Sequence, residues 1–248
     1  MNVNCRSFLK KFMRMQYAIV SGGSQGIGRA IAEKLLSEGF SVAICARNKE
    51  ELDARQAEWN EQYPAASILA LPADLSKMEE AKSFSEAVLS NFPQVDLLVN
   101  NVGTYFPGKV SEEDDGVLEQ LMGINMYSAY YLTRELLPAM KKGKRGHIFN
   151  MCSVASLQAY PNGGAYSVSK YALLGFSENL REELKQSNIK VTAICAGATE
   201  TRSWEGSNVA HDRIMQPEDV ASMIWAAWSL SAGATVETIL MRPQLGDL

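Results

Sequence analysis

Ser21-Gly22-Gly23-Ser24-Gln25-Gly26-Ile27-Gly28 follows an apolar run at residues 17–20 and leads directly into Arg29-Ala30-Ile31-Ala32-Glu33, which has helical character. Glycines at a strand-to-helix turn permit a tight bend. They also let backbone N–H groups and the helix N-terminus approach a pyrophosphate. A glycine cluster by itself also suits a plain connection. Here strand, glycines and helix come in the order that phosphate binding requires.

The same alternation continues outward from this turn. Apolar runs of strand length recur at 40–45, 68–71, 96–100, 147–152, 189–195 and 236–241. Between them the pattern switches to helical periodicity over 27–37, 49–63, 77–92, 114–141, 166–186 and 217–230. Nearly continuous apolar strands alternating with helices predict a parallel sheet covered on both faces. The expected fold is α/β, a doubly wound parallel sheet of the Rossmann type. No Pro/Gly/Ser-rich linker and no internal repeat divides the chain, so 15–248 reads as one domain. Residues 1–14 carry four basic residues and no acid, with too short an apolar stretch for a secretory signal. They read as a flexible leader.

Charge and composition exclude several classes of function. A net charge of −4 with no basic stripe gives no electrostatic reason to bind nucleic acid or an anionic membrane surface. No apolar run approaches the roughly 18–20 residues a spanning helix needs. Cys5, Cys45, Cys152 and Cys195 form no CxxC pair, which points to reduced thiols and a cytoplasmic setting. With only His147 and His211, and no HExxH or Cys/His cluster, no metal site is expected.

Tyr166 and Lys170 are four apart at the start of a helical pattern, so both lie on one helix face. A free phenol has a pKa near about 10, and a neighbouring ammonium lowers it by favouring the phenolate. Tyr166 then becomes a usable acid/base. Ser153 stands at the end of the fifth apolar run, where ligands bind in such sheets. Its hydroxyl can hold a substrate oxygen there.

The glycine spacing is GxxxGxG, at Gly22, Gly26 and Gly28. With Asn100-Asn101-Val102-Gly103 after the fourth strand and Tyr166-Ser167-Val168-Ser169-Lys170, the chain resembles the short-chain dehydrogenase/reductase family. The matches run from the first strand to beyond Gly197. The resemblance implies a catalytic tetrad of Asn125, Ser153, Tyr166 and Lys170, with Asn125 holding a water in a proton relay. Asn125 also admits a plainer reading, a helix polar residue bonded to backbone. Ser156 is the lesser candidate for the serine role.

A dinucleotide would rest on Gly22, Ser24, Gln25, Gly26, Ile27 and Gly28, on Asn101, Val102 and Gly103, and on Tyr166 and Lys170. After the sixth strand the family's Pro-Gly is replaced by Ala196-Gly197, so that loop has lost its proline. Gly197, Thr199 and Thr201 are the expected contacts there. The second strand ends Ile44-Cys45-Ala46-Arg47-Asn48, with no acid to accept from ribose hydroxyls before Glu50. Arg47 suits a 2′-phosphate, so NADP(H) is expected over NAD(H). The alternative is an ordinary solvated charge, and the family's NADP users often carry a second base where Gln25 stands. Asp74 matches a position that contacts adenine, and it equally suits a helix N-cap.

The resemblance therefore implies hydride transfer between NADPH and a carbonyl/alcohol substrate, with ketone reduction as the cellular direction. Similar proteins include 3-oxoacyl-acyl-carrier-protein reductases and, from the ending Glu237–Pro243, sepiapterin-reductase-like members. Fold does not settle substrate. One rival is a catalytically silent NADP(H)-binding sensor or scaffold, which predicts a broken tetrad where this one is intact. A second is a hydrolase using Ser153 and His211, for which there is no GxSxG elbow. The resemblance also implies a homodimer or homotetramer joined through the helices 114–141 and 166–186.

Overall fold

The computed structural model describes residues 15–204, 206 and 209–248. The expected leader 1–14, with Cys5 in it, lies outside the described residues. Seven strands form one sheet: β1 (Gln16–Ser21), β2 (Phe40–Ala46), β3 (Ile68–Pro72), β4 (Leu97–Asn100), β5 (Gly146–Met151), β6 (Ile189–Ala196) and β7 (Thr238–Met241). All neighbours are parallel, in the order β3-β2-β1-β4-β5-β6-β7.

The strands are apolar at nearly every position because both faces of the sheet are covered. In β1, Ala18 and Val20 point into one core and Ile19 into the other. Helices α1 (Gly26–Ser37), α2 (Lys49–Gln62) and α7 (Pro217–Trp228) pack on the first face. Helices α3 (Met78–Asn91), α5 (Ser128–Gly143) and α6 (Gly164–Leu184) pack on the second, with the short α4 (Val117–Met122) leading into α5. Each fully buried anchor, such as Ile31 and Leu35 of α1 or Leu132 and Leu136 of α5, contributes roughly 1.5–3 kcal/mol over exposure.

The expected helix 114–141 is divided. It begins only at Val117, because Gly116 takes a left-handed φ of 91° ahead of it. One turn of π-helix, Gly123–Tyr127, then separates α4 from α5. Strand 236–241 also starts late. Val236 and Glu237 bond to Thr192 and Ala193 through their carbonyls, and in-register pairing begins at Thr238.

Strand β1 lies between β2 and β4, so the chain leaves it in opposite directions on its two sides. A crevice opens at the carboxyl ends of β1 and β4, where ligands bind in open α/β sheets.

Candidate active site

The loops after β1 and β4 are stitched together across that crevice. The Asn101 side-chain amide donates to the carbonyls of Ser21 (2.9 Å) and Gly22 (3.1 Å). The Ser21 hydroxyl accepts from the backbone N–H groups of Asn101 (2.9 Å) and Val102 (3.1 Å). Gly28 closes the cradle from the helix side. A Cβ there would lie 2.5 Å from Asn101 Nδ2 and 2.8 Å from the Gly22 carbonyl carbon. Helix α1 enters with no side-chain cap and no acid in its first turn. Its first N–H groups are therefore free for an anion, which fits the pyrophosphate of a dinucleotide.

A cleft of about 570 Å³ runs over this cradle. Gly22, Ser24, Gln25, Gly26, Ile27 and Gly28 line it, as do Arg47 from the end of β2 and Asp74 after β3. Asn101, Val102 and Gly103 after β4 and Thr201 after β6 complete the expected set along it. Tyr166, Lys170, Gly197 and Thr199 lie outside this lining. The Thr199 hydroxyl is buried and turned back onto the Gly197 carbonyl at 3.0 Å.

At the β2 end, Arg47 is exposed and makes no ion pair with the described residues. Asp74 does not cap α3, whose N-cap is Lys77. Its carboxylate accepts instead from the Ser76 N–H (3.1 Å) and hydroxyl (2.7 Å). Burial pushes that carboxyl upward, but the Ser76 hydrogen bonds, with Lys77 and Arg47, hold it below the ordinary carboxylate range. Reading along the chain missed Glu51, in the first turn of α2. Its carboxylate lines the same cleft, accepts from the Ser24 hydroxyl (3.2 Å) and pairs with Arg202 from the loop after β6 (2.9 Å). An acid is thus present near Arg47, and Arg202 neutralises it.

The four side chains expected to form a tetrad lie close together past Gly103, Asn125 and Lys170 against it, Tyr166 beside Lys170 and Ser153 beside Tyr166. A Cβ on Gly103 would lie 3.3 Å from both Asn125 Oδ1 and Lys170 Nζ. Asn125 sits inside the π turn and is fully buried. Its Oδ1 accepts from the Thr104 N–H (2.8 Å), and its Nδ2 donates to the Thr104 carbonyl (3.0 Å) and the Ser169 hydroxyl (2.9 Å). The side chain is bonded to backbone, as the plainer reading expected, but to a loop 21 residues away. One Oδ1 lone pair remains. The Ser169 hydroxyl in turn donates a hydrogen bond to the Tyr166 carbonyl (2.7 Å), which joins Asn125 to α6.

Lys170 is buried and spends one N–H on the Met151 carbonyl (2.8 Å), leaving two donors. Ser153 caps a short 3-10 turn, and its Oγ accepts from the Ala155 N–H (3.1 Å). Ser156 is fully buried and accepts from the Ser153 N–H (3.1 Å), so it secures the turn. The expectation that Lys170 lowers the Tyr166 pKa is not met in the protein alone. Lys170 Nζ stands 5.9 Å from the Tyr166 ring centre and points at Met151. Burial dominates and raises the phenol, while the Ser153 hydroxyl pulls the other way. Burial also pushes the Lys170 ammonium down.

Tyr105 is a further member of the site that no motif signalled. Its ring meets that of Tyr166 edge to face, with centres 4.8 Å apart. Among the described residues, no helix is long and apolar enough to cross a membrane, and no three His, Cys, Asp or Glu side chains gather as for a metal.

A family model described as short chain dehydrogenase matches residues 16–211. An uncharacterized oxidoreductase of Staphylococcus epidermidis is 25% identical over 231 residues, 93% of this chain and 98% of its own. Among solved structures, a metagenomic short-chain oxidoreductase in complex with NADP is 31% identical with a TM-score of 0.79. The match covers 92% of this chain and 97% of that one. The L-sorbose reductase of Gluconobacter frateurii, complexed with NADPH and L-sorbose, is 26% identical with a TM-score of 0.84. Coverage there is 92% of this chain and 94% of that one.

Proposed function

The chain belongs to the short-chain dehydrogenase family, as an oxidoreductase acting on alcohol and carbonyl groups, and from this we propose that it reduces a ketone with NADPH. The observation that carries the proposal is the convergence of Asn125 and Lys170 on Gly103, beside a cradle whose helix N-terminus is left free. When bound, the cofactor supplies a hydride to the carbonyl carbon. The protein's own residues do the rest.

Tyr166 donates the proton that the carbonyl oxygen gains. Its raised pKa keeps the phenol protonated at neutral pH, which suits reduction. Ser153 turns its O–H from the Tyr166 phenol to the same oxygen and holds it by hydrogen bonding. Lys170 has two unused donors. These serve the nicotinamide ribose and a water held by the spare lone pair of Asn125, so that the proton lost by Tyr166 is replaced.

NADPH is preferred over NADH because Arg47, which makes no ion pair among the described residues, lines the cleft, whereas the nearby Glu51 carboxylate is neutralised by Arg202. Gly22, Ser24, Gln25, Gly26, Ile27, Gly28, Asn101, Val102 and Thr201 complete the binding surface. The substrate is a small ketone, of the 3-oxoacyl or sepiapterin-like class. The L-sorbose reductase is a relative whose substrate is also a carbonyl compound. We infer a homodimer or homotetramer joined through α5 and α6, and a cytoplasmic setting suited to the free thiols of Cys45, Cys152 and Cys195. No observation favours the silent sensor or scaffold.

The test is fluorescence titration with NADPH and NADH, followed by a panel of acetoacetyl thioesters, diketones and sepiapterin. Tighter NADPH binding with turnover of one class is the expected result. Binding without turnover would overturn the enzymatic reading, and failure to bind either nucleotide would overturn the whole proposal.

A further inference from the structure

We propose that Glu113 is a positioning residue for the helix that carries Tyr166, its carboxylate seating the first turn of α6. This rests on the reading of Tyr166 as the proton donor. The Ala165 N–H, one residue before Tyr166, donates to Glu113 Oε1 at 2.9 Å and Oε2 at 3.2 Å across 52 residues of sequence. That N–H belongs to the opening turn of α6 and has no partner within the helix. Gly163 supplies no side-chain cap, and the first turn of α6 holds no acid. Glu113 therefore brings in from another loop both the acceptor and the negative charge that a helix N-terminus favours.

The surroundings are shaped to admit this carboxylate. A Cβ on Gly164, whose φ is +36°, would overlap Glu113 Oε1 and lie 2.7 Å from the Gly108 carbonyl oxygen. A Cβ on Gly108 would lie 2.7 Å from Glu113 Cγ and Oε1. The Gly108 N–H donates to the Asn162 carbonyl at 3.0 Å and holds the two walls together. Neighbouring Glu112 is exposed and paired with Lys109 at 2.8 Å.

The loop that carries Glu113 is fastened at its other end as well, where both backbone polar groups of Thr104 bond to Asn125. Between these anchors Tyr105 rests its ring edge to face with that of Tyr166. One segment, 104–113, thus ties Asn125 to the start of α6, and Glu113 is its fixed point on the helix. A loosened Ala165 amide would let Tyr166 drift from the substrate oxygen. Displacements near 1 Å cost rate without any lost contact to cofactor.

The experiment compares Glu113→Ala and Glu113→Gln with the wild type by amide hydrogen exchange over 160–170, NADPH titration and steady-state kinetics. In Glu113→Ala the Ala165 amide should exchange at least about tenfold faster. NADPH Kd should stay within about twofold while kcat falls at least about tenfold. Glu113→Gln keeps an oxygen for the Ala165 N–H and should recover most of both. A purely structural contribution would lower the melting temperature without moving kcat of the folded protein. Unchanged exchange, or faster exchange with kcat within about twofold of wild type, overturns the proposal. If Glu113→Ala does not fold, Glu113→Asp, one methylene short, should show the same split at smaller amplitude, and wild-type exchange and kcat there would overturn it. A wild type without turnover would defeat the functional reading, while the exchange result would still decide the clamp.

Discussion

Gly28→Ala puts the cradle itself under load. The added methyl would stand 2.5 Å from Asn101 Nδ2 and 2.8 Å from the Gly22 carbonyl carbon, and closer still to the Gly22 carbonyl oxygen. None of these atoms is a free side-chain end. Asn101 Nδ2 is held by the carbonyls of Ser21 and Gly22, and the other two atoms are backbone. Bringing Nδ2 to an acceptable distance requires a retreat of at least about 0.5 Å, with more for the carbonyl, and such overpacking costs about 1–3 kcal/mol. For a chain of this size that lowers the melting temperature by roughly 2–4 °C per kcal/mol.

The effect on binding should exceed the effect on stability, because the retreat moves the N–H groups aimed at the pyrophosphate. Each hydrogen bond to a charged group contributes about 1.5–3 kcal/mol, so losing one weakens binding at least about tenfold. The loss should be equal for NADPH and NADH, which share that pyrophosphate. Fluorescence titration of both nucleotides, with a thermal melt of the free protein, reads the two effects separately. A folded Gly28→Ala protein that binds either nucleotide within about twofold of wild type would refute the reasoning.

Two other predictions concern charge. Arg47→Gln should weaken NADPH at least about tenfold and leave NADH nearly unchanged, since it removes one charge-assisted contact to the 2′-phosphate alone. Equal losses for both nucleotides in the same titration would show that Arg47 does not recognise that phosphate. His147 is buried, and burial pushes its imidazole down to about 3. The Thr192 hydroxyl donates to the Val236 carbonyl, so His147 Nε2 carries the proton that Thr192 accepts at 2.7 Å. An unfolded histidine titrates near about 6.5. As pH falls below that value the unfolded chain takes up a proton that the folded chain refuses, and stability is lost until about pH 3. Between pH 7 and 5 this site should cost about 2 kcal/mol. Urea midpoints of wild type and His147→Gln at the two pH values check it, and identical pH slopes would contradict the assignment.

The strands were legible because burial on both faces makes them apolar throughout, and the glycine turn was legible because strand, turn and helix are local. The lost pieces are contacts between distant segments. The acidic run 112–115 suggests the start of a helix at 114, yet Gly116 delays that helix to Val117, and Glu113 turns to the N-terminus of α6. Periodicity over 114–141 does not betray the π turn, because it is one turn long and carries no residue signal of its own. Glu51 reads as an ordinary first-turn acid, and only the fold brings Ser24 and Arg202 to it. Thr199 and Thr201 are equivalent as letters. The bridge between Thr199 and Met215 turns the first inward and leaves the second on the cleft.

The most direct test is NADPH oxidation by wild type and Tyr166→Phe with the same ketone, together with each protein's NADPH Kd. The substitution removes only the phenolic oxygen, so Kd should stay within about twofold while kcat falls by about 10²–10⁴. Wild-type turnover by Tyr166→Phe would contradict the assignment of Tyr166 as the proton donor.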